Sequence, residues 1–169
     1  MGETTAIPAL DGDGEITAYV ARPQGTPRSA IIVVPEIFGV NAGIRSKCDD
    51  WAGLGYLALA PDIFWRFAPG VELDPDVPEQ LQEAFGYFGQ YDADDGVKDI
   101  EAAIRHLRRS EGCANGWFRA NTSGEMSIRP GGVPLHALEL AAGVADGGRI
   151  LPFARHLRID MRLARLLKH

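Results

Sequence analysis

Six consecutive residues, Ser29 to Val34 ("SAIIVV"), constrain this chain more than any other stretch. Apart from the leading serine the run is continuously apolar, and most of it is β-branched. A strand that is apolar on both faces must be covered on both faces, which places it centrally in a parallel sheet with helices on either side. Pro35 ends the run, and the next residue is an acid, Glu36, followed by more apolar residues in "PEIFGVN". A carboxylate buried there would cost free energy unless something used it, so the end of this strand is the first candidate for chemistry.

A second segment of the same kind, "YLALAPDIF", ends at Pro61-Asp62. Between the two, Asn41 can cap a helix carrying Ile44, Cys48, Trp51 and Leu54 at intervals of four, four and three, stopped by Gly55. Strand, helix, strand is a right-handed crossover unit, and the chain is therefore assigned to the α/β class. Gly14 to Arg22 alternates apolar and polar residues, the pattern of a strand with one wet face. Phe67 to Pro78 reads as a loop rich in Pro, Gly and Asp, followed by a helix over "PEQLQEAFGYFGQY" that Gly86 and Gly89 weaken. Asp94 to Arg109 is the clearest helix, with acids in its first turn, basics in its last, and Val97, Ile100, Ile104 and Leu107 on one stripe.

At 169 residues the chain suits one domain, and its net charge of −6 argues against a general nucleic-acid binder. No apolar stretch is long enough to cross a bilayer and Met1 to Gly14 holds no basic-then-apolar segment, so the expectation is a cytoplasmic protein without a membrane partner. Cys48 and Cys113 have no metal-ligand spacing; reduced thiols are expected, with no metal and no cofactor. The charge divides unevenly. Residues 1–112 hold 9 Lys+Arg and 19 Asp+Glu, whereas residues 113–169 hold 8 and 4, seven of the eight being arginines. That shift marks a boundary between an α/β part, 1–112, and an Arg-rich tail, 113–169.

The segments "PEIFGVN", "GLGYLALAPDIFWRFAPG" and "DDGVKDIEAAIRHLR" resemble, in order and spacing, the dienelactone hydrolase (carboxymethylenebutenolidase) family over roughly residues 10–112. The resemblance implies a partial α/β-hydrolase fold, a mostly parallel sheet with flanking helices, and hydrolysis of a small-molecule ester or lactone through a Cys-His-Asp triad. It implies that Glu36 is the acid that controls the thiolate of the nucleophilic cysteine, and that the N–H of Ile37 contributes to the oxyanion hole. From its position alone, Glu36 could equally cap the helix from Asn41 or face solvent. Members that clamp a substrate carboxylate carry an arginine in the helix after the long loop, where this chain has Leu81.

The family's nucleophile lies on a strained turn of the form G-x-C-x-G. None of Ser29, Ser46, Cys48, Ser110, Cys113, Ser123 and Ser127 has a glycine two positions before it. The stretch "ANGWFRANTSGEMSIRPGGVP" also lacks four consecutive apolar residues, so the nucleophile strand and the later strands are expected to be missing, and the catalytic histidine and aspartate are not identifiable. The expectation is a truncated and inactive relative whose tail is diverged or read from a shifted frame. Ile31 to Val34 would then lie at an exposed edge able to drive self-association. Two rival readings remain. One is a non-catalytic α/β interaction module using a basic amphipathic helix within 152–168, where Arg155, Arg158, Arg162 and Arg165 lie beside Phe153, Leu157, Met161 and Ala164. The other is an esterase using Ser123 in "NTSGEM" as an unconventional nucleophile.

Overall fold

The computed structural model describes residues 2–110 and 118–122. Cys113, Ser123 and the helix expected within 152–168 lie outside the described residues. The described elements are β1 (Glu3–Pro8), β2 (Glu15–Ala21), β3 (Ala30–Val34), α1 (Ala42–Gly53), β4 (Leu57–Pro61), α2 (Pro78–Gln90), α3 (Ala93–Ser110) and β5 (Phe118–Thr122).

All five residues of β3 are buried, as its composition requires, and its side chains alternate between two cores. Ile32 and Val34 pack with Ile100, Ala103, Ile104 and Leu107 of α3, while Ile31 and Val33 pack with Ile44, Cys48 and Trp51 of α1. The sheet is therefore the middle layer of three. Each buried aliphatic side chain contributes about 1.5–3 kcal/mol, so the two cores dominate the stability of the unit. Within the α3 stripe Ile100, Ile104 and Leu107 are buried and Val97 half-buried. Asn41 caps α1 as read from the sequence, its side chain accepting from the Ile44 N–H, but Leu54 falls at the C-cap and is 43% exposed.

Strand order is β1-β2-β4-β3-β5. β3 is parallel to both neighbours, and β2 is antiparallel to β1 and to β4, so the sheet is mixed. β1 carries no sequence signal, since only Ile7 of its six residues is buried. Two expectations are corrected by β5. The stretch thought to lack a strand forms one, with Ala30 opposite Phe118 and Val34 opposite Thr122, and the outer edge of β3 is accordingly covered. The physical reason is that a parallel ladder is made by main-chain N–H and C=O groups, so an apolar run is not required for a strand to pair.

α2 does not rest on the sheet. Ala84 is its one buried residue, and it packs through Phe64, whose buried ring has the rings of Phe67, Tyr87 and Tyr91 at 5.6, 5.8 and 6.1 Å. The loop after β4 is tied to α3 and to the β1–β2 turn by Arg66, which donates to Asp99 at 2.7 Å and to Asp11 at 2.8 Å and stacks on Trp65. Trp65 Nε1 donates to the other Asp99 oxygen at 2.8 Å.

Candidate active site

β3 delivers the chain to a tight turn at the carboxyl end of the parallel strands. Pro35 is still buried, Glu36 is exposed, and the Gly39 N–H closes back on the Glu36 carbonyl at 3.2 Å. Ile37 and Phe38 are thus the central pair of the turn. Contrary to the expectation of a buried acid, the Glu36 carboxylate faces solvent and carries no burial cost, because the chain leaves the sheet at Pro35 and the apolar residues that follow, not the acid, turn inward. Among the described residues the Glu36 carboxylate has no hydrogen-bond or ion-pair partner, and the helix cap it might have supplied comes from Asn41. The Ile37 N–H likewise donates to no described group.

The turn is braced from one side by Gly70 to Leu73. The Leu73 N–H donates to the Phe38 carbonyl at 2.9 Å, and Asn41 Nδ2 donates to the Leu73 carbonyl at 2.9 Å. Gly39 has φ +73° and bridges Glu72; a Cβ on it would lie 1.8 Å from the Val71 carbonyl oxygen. Only glycine fits there, for its conformation and for the space. Arg45 holds Glu72 at 2.6 Å and the Val40 carbonyl at 2.7 Å.

Two cavities flank the brace. One, of about 80 Å³, is lined by Tyr19, Val40, Arg45, Asp62, Gly70 and Glu72 among others. The other, an open cleft of about 530 Å³, lies along Asn41, Gly43, Leu73, Asp74 and Gln80. Glu36 and Ile37 line neither. Asp62, read from the sequence only as a strand end, is 3% exposed and accepts from the Phe64 N–H at 2.9 Å and the Gly70 N–H at 2.7 Å. Burial pushes its carboxyl above the usual carboxylate range, against the pull of those two donors. The dipeptide Pro-Asp directly after a buried strand was the available signal for it.

Cys48 lies on the buried face of α1 with Ile31 and Val33, and desolvation, with a smaller contribution from Asp49, pushes its thiol up from the ordinary 9.0 to about 12. It stays protonated and inert at neutral pH. His106 is half-buried on α3. Among the described residues no cluster of His, Cys, Asp or Glu is arranged to hold a metal ion, and no helix is long and apolar enough to cross a membrane.

Residues 16–116 match the dienelactone hydrolase family. A carboxymethylenebutenolidase of Pseudomonas putida is 39% identical over 108 residues, 64% of this chain and 45% of that protein. Carboxymethylenebutenolidase 1 of Cupriavidus pinatubonensis is 34% identical over 95 residues, 56% of this chain and 41% of that one. Among solved structures, a Klebsiella pneumoniae protein assigned as a dienelactone hydrolase superposes with a TM-score of 0.59 at 30% identity, over 72% of this chain and 49% of that chain. The chain spans less than half the length of these relatives, and the architecture it shares with them is that of the α/β hydrolases.

Proposed function

The chain belongs to the dienelactone hydrolase family, and from that premise we propose that it carries the acid and oxyanion-hole half of a lactone- or ester-hydrolysing site without the thiol nucleophile. In this reading the Ile37 N–H is the donor for the oxygen of an ester or lactone carbonyl as it becomes tetrahedral, a contribution that is large when the donor is preorganised. Glu36 is the carboxylate that, in a complete site, would oppose ionisation of the neighbouring cysteine or accept its proton. The observation that carries this reading is the turn itself: Val34 pairs with Thr122, so the Glu36–Gly39 turn sits where β3 and its outer neighbour both end, with the Ile37 N–H unused among the described residues.

The nucleophile is another matter. No Ser or Cys of the sequence is preceded at two positions by glycine, and the thiol of Cys48 is buried and protonated. We therefore read the chain as catalytically silent, with residues 113–169 translated from a shifted frame of a GC-rich gene. The charge reversal and the Arg-, Ala-, Gly- and Leu-rich composition of that part support this origin. One of the two other frames should restore a buried strand and G-x-C-x-G within about twenty codons of Gly112; neither doing so sinks the frameshift account in favour of divergence. Purified protein should hydrolyse p-nitrophenyl acetate or a dienelactone no faster than its Glu36→Gln variant. Turnover that Ser123→Ala abolishes would overturn the silent reading and identify Ser123 as the nucleophile.

A further inference from the structure

We propose that Asp62 is a positioning residue for the Ile37 turn, acting through the Gly70–Leu73 brace. The inference rests on the assignment of the Ile37 N–H as an oxyanion donor for its significance, though not for its geometry. An amide serves in an oxyanion hole only if its direction is set before the reaction, and a four-residue turn with one internal hydrogen bond does not set itself. Here the brace holds the second half of the turn, Phe38 and Gly39, directly after Ile37. Leu73 holds the Phe38 carbonyl, Glu72 bridges Gly39, and the Val71 carbonyl lies so close to Gly39 that no side chain could intervene. The brace therefore meets the turn at Phe38 and Gly39, through Val71, Glu72 and Leu73.

Among the described residues, side chains hold the brace at three points. Its far end is tied by Asn41, which caps α1 and donates to Leu73 with the same side chain, and its middle by Arg45 through Glu72. Its near end is tied by Asp62 alone among the described side chains: one carboxylate oxygen takes the Phe64 N–H, the other the Gly70 N–H immediately before Val71. Asp62 follows Pro61 at the end of β4, and its own N–H donates to the Thr17 carbonyl of β2 at 2.8 Å, so its backbone belongs to the rigid sheet. The path from sheet to turn is thus β4, Asp62, Gly70, Val71, Gly39. A buried carboxylate is costly to keep, and two N–H donors are what make it tolerable at this place. Nothing else in the 62–70 loop reaches from the sheet to the brace with a side-chain hydrogen bond among the described residues.

The test is hydrogen exchange by mass spectrometry on the full chain, comparing residues 36–41, 63–70 and 70–73 with the β2 segment 15–21. Asp62→Ala should speed exchange at 70–73 and at 36–41 on the order of tenfold and leave 15–21 unchanged. Asp62→Asn, which keeps one acceptor oxygen, should restore part of the protection at 36–41. Glu72→Gln, which weakens the middle tie, should speed 36–41 without affecting 63–70. Acceleration confined to 63–70, or equal acceleration at 36–41 and 15–21, would overturn the proposal, the second result making Asp62 a general structural residue. Exchange reports the geometry of the turn and is blind to ester turnover, so failure here and failure of the oxyanion assignment are separate results.

Discussion

β4 and β5 stand in the same relation to β3, each a parallel neighbour, yet they are built from opposite materials. β4, "LALAP", is buried at all five positions. β5, "FRANT", carries an arginine, an asparagine and a threonine in five residues. The difference separates two things that a strand needs. Pairing is satisfied by main-chain groups, which every non-proline residue has; burial is satisfied by side chains, and only a strand covered on both faces has to be apolar throughout. β3 and β4 report their burial in their composition, whereas β5 reports only through its partner.

The largest expected effect comes from removing one side of this comparison. A chain ending at Gly112 loses β5 and leaves Ala30 to Val34 with unpaired N–H and C=O groups along an apolar edge, the arrangement that templates association. Light scattering should show oligomers or aggregates for that chain and a smaller species for the full one. Equal size and equal cooperative melts would mean that β5 contributes nothing to stability.

Side-chain truncation should then show the asymmetry directly. Leu59→Ala, in the fully buried strand, should cost about 3 kcal/mol in denaturant melts, within the 2–5 kcal/mol span of such core changes. Ala120→Gly in β5 should cost about 1 kcal/mol, the scale of the glycine backbone penalty. Proline tests the ladder rather than the side chains. In a parallel pair successive N–H groups point to opposite sides, so of Ala120→Pro and Asn121→Pro one should cost about 1–2 kcal/mol more than the other, the one whose N–H faces β3. Equal costs would show that β5 is held by something other than its ladder with β3.

The smallest effect concerns the core beneath β3, where Cys48 packs with Ile31 and Val33. Because its thiol is raised in the folded state, Cys48 contributes stability that is fully present below the ordinary thiol range and is lost as pH rises from 9.0 toward about 12. The loss should be about 1 kcal/mol by pH 10, and Cys48→Ala should flatten that part of the pH profile. A profile unchanged by the substitution would place the thiol in water.

The candidate site divides along a similar line. Glu36 and Ile37 stand out in the sequence within a run of seven residues, and the structure places them on one turn, but apolar neighbours in sequence do not make a buried acid: Pro35 marks the point at which the chain leaves the sheet, and Glu36 is exposed. Asn41 was legible as a cap because the cap is local, three residues from the N–H it accepts. Its second bond, to Leu73, joins residues 32 apart and left no trace in the sequence. The same holds for Arg45 with Glu72, for Asp62 with Gly70, and for Arg66 with Asp11 and Asp99, each an ordinary polar residue in an ordinary loop until folding brings its partner near.

The three-layer α/β plan around β3 and β4, the helices α1, α2 and α3 to within a residue or two, and the family are all legible in the amino-acid order. Each of these is written in the period of apolar residues or in local caps, which the chain carries wherever it folds. The pairing of β1 and β5 with the sheet, the exposure of Glu36 and the bracing of the Ile37 turn from Asp62 emerge only on folding. Those outcomes depend on main-chain pairing and on contacts between residues far apart in the chain, and such partners are chosen by the fold as a whole rather than by any one segment.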